Sequence, residues 1–158
     1  MVTQVSNLPA QPPLPDVLGL LPHRYPFLLV DRITALEPGR RAEGIKRITS
    51  GEWFIGLAGP GAEMPNGLVV EALAQLSAAV LAGLTDATEH TIGYFMGLDH
   101  VRYRGAARAG DDLRLTVDLL RARRRVCRTR GEAWVEGRRI VRAELTIVLR
   151  AAPVHPPA

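Results

Sequence analysis

The chain contains 158 residues and has little cysteine, lysine or aromatic side chain. Its single cysteine, Cys127, excludes an internal disulfide and any cysteine-rich metal site. Aromatic residues make up 5%, no reader motif is recognisable, and the basic residues alternate along strand-like runs, so a nucleic-acid partner is not expected. The first basic residue is Arg24, so no basic region leads into an apolar core and a secretory signal is not expected. The longest apolar stretch, Gly67 to Leu84, is interrupted by Glu71, which argues against a membrane span. These absences point to a cytoplasmic protein. What is present is ordinary for one globular domain: 47% hydrophobic and 23% charged residues, enough to bury a sizeable core.

Charge is distributed unevenly. From Asp99 onward there are 14 arginines against 7 carboxylates, while Lys46 is the only lysine and the net charge is +4. A block such as Arg121-Ala-Arg-Arg-Arg125 suits either an acidic partner or a solvated basic face.

Leu8–Pro15 and Pro153–Ala158 are proline-rich flanks, expected to be extended or disordered tails, so residues 1–15 and 151–158 bracket a domain over 16–150. Asp16–Leu21 suits one helical turn before Pro22. Phe27–Ala35 and Arg41–Ile48 read as strands, joined by a turn at Glu37-Pro-Gly39. Gly51–Pro65 holds four glycines and two prolines and reads as a loop, after which Asn66 is placed to cap a helix. The following GLVVEALAQLSAAVLAGL is apolar around nearly its whole circumference, which predicts a buried helix. Four more strand-like runs follow: Ile92–Tyr103, Asp112–Leu120, Arg125–Val135 and Arg139–Leu149, with Glu136-Gly137 as a hairpin turn. One buried helix among antiparallel strands is an α+β layout, and covering such a helix calls for a dimer.

Glu71 stands out chemically. It lies near the start of the apolar helix, with Gln75 one turn later on the same face. Two readings are open. Desolvation raises a carboxylate's pKa and suits it to act as a general acid; alternatively, Glu71 is a structural group bonded to Gln75 or to loop amides. The amides around Asn66 and Gly67 lie at a helix N-terminus, where they could polarise a thioester carbonyl.

Three blocks resemble the beta-hydroxyacyl-acyl-carrier-protein dehydratases of type II fatty-acid synthesis. Leu21-Pro-His-Arg-Tyr-Pro-Phe-Leu-Leu-Val-Asp-Arg32 is similar to that family's opening motif. Met64-Pro-Asn-Gly-Leu-Val-Val-Glu-Ala-Leu-Ala-Gln75 is similar to its central-helix motif. Gly97-Leu-Asp-His-Val-Arg-Tyr-Arg104, with Ala109-Gly-Asp-Asp-Leu113, is similar to its strand and following turn. The resemblance implies a hotdog fold, with a sheet wrapped around the central helix and two protomers sharing one continuous sheet. It also implies removal of water from a (3R)-hydroxyacyl chain carried on the phosphopantetheine of an acyl carrier protein, with no cofactor of the enzyme's own. A histidine takes the alpha proton, a glutamate matching Glu71 protonates the leaving hydroxyl, and backbone amides hold the thioester oxygen. Asn66, Gly67, Gln75 and Met64 match the substrate-binding segment. Arg102, Arg104 and Arg108 are candidate contacts for the acidic carrier protein.

The histidine does not carry over. Where the family reads Gly-His-Phe-Pro, this chain has Gly56-Leu57-Ala58-Gly59, and Asn66 occupies the place of an expected glycine, with Gly67 one residue later. His23, His90, His100 and His155 are each better read as structural or solvated than as a substitute base. Family sites are built across a dimer interface, histidine from one protomer and glutamate from the other. A heterodimer with a histidine-bearing homologue would therefore hold one complete site, similar to unequal pairs in bacterial polyene polyketide assembly. A thioesterase in which Glu71 activates water, and a non-catalytic acyl-chain or carrier-protein binding subunit, are the alternatives.

Overall fold

In a computed structural model of the chain, the structure describes Leu14, residues 16–56, Gly59, residues 61–84 and residues 91–151. Apart from Leu14 and from Ala151, which is in strand rather than in a tail, the expected tails lie outside the described residues, as do Leu57, Ala58, His90 and His155.

Of the helices α1 (Val17–Leu20), α2 (Trp53–Gly56) and α3 (Asn66–Leu81), α3 forms the centre. No proline or interior glycine interrupts its run of alanine, leucine and valine, and ten of its sixteen residues are buried. Its length is about 24 Å. A 3-10 turn over Ala82–Leu84 ends it, and the Pro38–Arg40 turn packs against that end, with the Gly39 N–H donating to the Val80 carbonyl at 2.8 Å. Glycine is required there: a Cβ on Gly83 would come within 2.5 Å of Pro38 Cβ.

Six antiparallel strands wrap the helix: β1 (Arg32–Glu37), β2 (Arg41–Arg47), β3 (Thr91–Tyr103), β4 (Asp112–Arg123), β5 (Val126–Val135) and β6 (Arg138–Ala151), in the order β1-β2-β4-β5-β6-β3. Strand alternation sets the layering. Leu113, Leu115 and Val117 of β4 and Val141, Ala143 and Leu145 of β6 are buried, in the same layer as Leu73, Leu76 and Val80 of the helix. Each large side chain enclosed in this way contributes about 1.5–3 kcal/mol. Within that layer the hydroxyls of Ser77 and Thr129 meet at 3.0 Å, and Ser77 Oγ also donates to the Leu73 carbonyl. The opposite face carries ion pairs: Arg41 with Glu43 and Asp118, Glu144 with Arg128 and Arg130, and Glu132 with Arg139. At the β5–β6 hairpin, Glu136 and Gly137 have φ of 48° and 77°, the positive pair that a tight two-residue turn needs.

Three expectations need correction. Residues 27–31 are not strand: Phe27 lies in a bend and β1 begins only at Arg32, the preceding segment being held by side chains described below. The glycine-rich loop contains a short helix, α2 (Trp53–Gly56), followed by a bridge between Glu63 and Arg108. Asn66 does not cap α3: Pro65 holds the cap position, Asn66 is already helical, and no side chain bonds the first amides.

Two surfaces remain open. On α3 the partly exposed positions Glu71, Ala74 and Ala78 recur at helical spacing along one face. Among the described residues, strand β3 pairs only with β6 and has no buried residue, and it exposes Tyr94, Phe95, Met96 and Leu98. A long edge strand of this kind is a pairing surface.

Candidate active site

Glu71 lies on the second turn of α3, and its side chain keeps 35% of its exposure. It is half-buried at the open helix face rather than enclosed, as the apolar sequence around it suggests. Gln75, one turn on, is 1% exposed, and its amide is fully engaged. Its Nε2 donates to the Phe27 carbonyl at 2.7 Å and to Glu71 Oε1 at 3.0 Å, and its Oε1 accepts the Leu29 N–H at 2.9 Å. The two backbone partners fix which end of the amide is which, so Glu71 Oε1 receives an N–H. Both structural and chemical readings of Glu71 thus meet at one carboxylate, with Oε1 held and no hydrogen bond to Oε2 among the described residues.

The opening motif surrounds this pair. Leu21, Leu29 and Val30 are buried, and Arg24 donates to the carbonyls of Leu18, Leu21 and His23. His23 brings Nε2 to 3.5 Å from Glu71 Oε1. Trp53 of α2 donates Nε1 to the Pro26 carbonyl at 3.1 Å and stacks on Phe27 at 5.9 Å between ring centroids. Lys46, 7% exposed, joins Asp31 at 3.1 Å and Glu52 at 2.5 Å. Burial alone would pull its ammonium down, but the hydrogen bonds to Glu52 and Asp31 outweigh that and hold its pKa above the ordinary lysine value. Glu52 and Trp53 lie at the start of α2, so these contacts anchor that helix.

At the start of α3 the amides of Asn66 and Gly67 have no acceptor among the described residues. Gly67 and Glu71 share a helix face, about 6 Å apart along the axis. Unbonded amides with helix-dipole character therefore lie one turn from the carboxylate. Met64 is 2% exposed and sits in the core, with its N–H on the Ala107 carbonyl at 2.8 Å. Met64 and Gln75, both matched to the substrate-binding segment, are thus buried in this chain.

The arginines divide into two groups. Arg108 pairs with Glu63, and its N–H donates to Asp111. Arg102 and Arg104 have no carboxylate partner among the described residues, and Arg102 stands opposite Arg142 in the sheet. Arg121, Arg123, Arg124 and Arg125, at the β4–β5 hairpin, are likewise without a carboxylate. His100 lies in the irregularity of β3 between Asp99 and Arg102 with φ of 51°, and makes no contact with Glu71. A groove of about 510 Å³ lies on the outer sheet face between Arg41, Arg114 and Trp134, away from all of these groups. Sequence reading missed the contact of His23 with Glu71 and the buried Lys46. The available signal was an amide, Gln75, inside an otherwise apolar helix.

Residues 21–144 match the FabA-like domain family. The chain belongs to the FabA-like dehydratase family. Among curated members, a 3-hydroxyacyl-[acyl-carrier-protein] dehydratase FabZ of Syntrophotalea carbinolica is 45% identical over 134 residues, 84% of this chain and 91% of that protein. The FabZ of Bacillus subtilis is 41% identical over 135 residues, 85% and 95% of the two chains. Solved structures of the same hotdog fold include a chain of the dehydratase heterocomplex ApeI:P from Xenorhabdus doucetiae, with a TM-score of 0.73 at 19% identity, covering 87% of this chain and 93% of that one. A hypothetical thioesterase with coenzyme A from Streptococcus pneumoniae superposes with a TM-score of 0.61 at 14% identity, covering 76% and 85%. In this FabA-like dehydratase relative, Glu71 lies on the central helix and Leu57 in the segment that precedes it.

Proposed function

We propose that this chain is the glutamate-bearing half of a two-protein dehydratase acting on (3R)-hydroxyacyl groups carried by an acyl carrier protein in fatty-acid or polyketide synthesis. One observation carries the reading: Glu71 has one oxygen fixed by Gln75 and the other unbonded, on the helix face that the lone chain leaves open. In the shared site, a histidine of the partner takes the proton from the alpha carbon, and the electrons of that C–H bond form the new double bond. The bond from the beta carbon to oxygen breaks, and Glu71 donates its proton so that the hydroxyl leaves as water. The thioester oxygen accepts from the amides of Asn66 and Gly67 as charge develops on it. No cofactor of the protein's own enters the scheme.

The unpaired edge of β3 supports a partner that continues the sheet. The ApeI:P heterocomplex is compatible with unequal pairing in this fold. Arg102 and Arg104, without internal counter-charges, are the favoured contacts for an acidic carrier protein. Arg108 is less suited, because Glu63 already neutralises it.

The test is reconstitution. The chain is purified alone and with a histidine-bearing homologue, and water loss from a hydroxyacyl carrier protein is followed. The pair is expected to form the enoyl product, with the lone chain slower by about a hundredfold or more. Full activity of the lone chain overturns the heterodimer, and release of free acid points to thioester hydrolysis instead. Leu57→His should give the lone chain measurable dehydration.

A further inference from the structure

We infer that His23 is a positioning residue for Glu71: a neutral imidazole that carries its proton on Nε2 and aims it at Glu71 Oε1. The inference rests on the reading of Glu71 as the acid, but its central observation is independent of any reaction. His23 Nε2 lies 3.5 Å from Oε1, at the outer limit of a hydrogen bond, and His23 Nδ1 is buried with no partner. A neutral imidazole has one donor and one acceptor nitrogen, so only two arrangements exist. With a proton on Nδ1, as in one tautomer or in the imidazolium, a donor would be buried without a partner, and in that tautomer the lone pair of Nε2 would also face a carboxylate oxygen. With the proton on Nε2, the donor meets the carboxylate, and only a lone pair goes unpaired. Orphaned buried N–H groups are the rarer case in proteins. The second arrangement is therefore the stable one.

Two consequences follow for the site. The available lone pair of His23 is at Nδ1, sealed away from any substrate, so His23 does not replace the base missing at position 57. Oε1 also faces two donors, the Gln75 amide at 3.0 Å and the His23 imidazole. That reserves Oε2 as the oxygen that carries and releases the proton. It also supplies two fixed dipoles to the carboxylate left behind when the proton departs. Contacts of this kind are often long in the unliganded state and tighten when substrate binds.

Long-range proton–nitrogen NMR of the histidine-labelled lone chain tests the tautomer directly, with His23→Gln assigning the signal. A protonated Nε2, and a shift of that signal in Glu71→Gln, are expected; a proton on Nδ1 overturns the inference. In the reconstituted pair, His23→Leu should lower kcat by about tenfold to a hundredfold, with KM changed by less than about threefold. His23→Gln, which keeps a donor, should recover most of that loss. Unchanged kcat in His23→Leu, or equal losses in both variants with KM rising in parallel, would refute positioning. If the pair shows no dehydration at all, the proposed function fails, while the tautomer measurement still decides this inference.

Discussion

Gln75 donates to the carbonyl of Phe27 at 2.7 Å, a contact between residues 48 apart in the chain. Together with the Leu29 N–H bond, it stitches the opening segment, which is not strand, to the central helix. Gln75→Leu removes both bonds, leaving the Leu29 N–H unsatisfied in the core and the half-buried Phe27 carbonyl without its partner. The expected loss is about 2–4 kcal/mol, read as a lower denaturant midpoint at unchanged slope. Gln75→Glu should be no better, since a carboxylate cannot donate to Phe27 and would face Glu71.

Glu71→Gln separates chemistry from folding. The side chain is half-exposed and its neighbours are polar, so stability should change by less than about 1 kcal/mol. Dehydration by the reconstituted pair should fall by about a hundredfold or more, because an amide has no proton to transfer. Thermal melts beside single-turnover assays check both halves; a pair that keeps its rate with Gln at 71 removes the acid from the scheme.

Lys46 gives a pH dependence with a definite sign. Its pKa is raised in the folded chain, because the hydrogen bonds to Glu52 and Asp31 outweigh the burial that lowers it. The folded state thus holds its proton more tightly than the unfolded state. The resulting stabilisation is complete below the ordinary lysine value of 10.5 and is lost as pH rises through the higher folded value. Lys46→Met strands Glu52, which keeps only 14% of its exposure, and should cost about 3–5 kcal/mol at neutral pH. Unfolding curves between neutrality and strong alkali should converge for the two proteins at the alkaline end.

Charge reversal at Arg102 and Arg104 addresses carrier docking. The double glutamate variant should raise KM for the carrier-bound substrate by about tenfold and leave a simple pantetheine thioester unaffected. The same reversal at Arg124 and Arg125 is the comparison. If only that variant raises KM, the docking surface lies at the β4–β5 hairpin instead.

Much of the architecture was readable from side-chain pattern. The apolar circumference of Gly67–Leu84 marked the buried helix, and Glu136-Gly137 marked the last hairpin. Boundaries set by specific side chains were not readable. Phe27–Asp31 has the composition of a strand, yet the amide of a residue far along the chain holds part of it. Asn66 is a good capping residue by type, but the cap falls one position earlier, on Pro65, which has no N–H and so needs no acceptor. Glu71 was conspicuous because a lone carboxylate in an apolar helix is costly. His23 was not, because its meeting with Glu71 depends on how the Leu21–Leu29 segment folds over the start of the helix.

The bare flank of β3 also bears on how such a chain is made. A thirteen-residue ribbon offering Phe95 and Met96 along the edge of a sheet is an invitation to indiscriminate aggregation. Copies synthesised in excess of whatever seals that ribbon should be lost to clumping or proteolysis, so matched co-expression, rather than promoter strength, should govern the yield of intact protein.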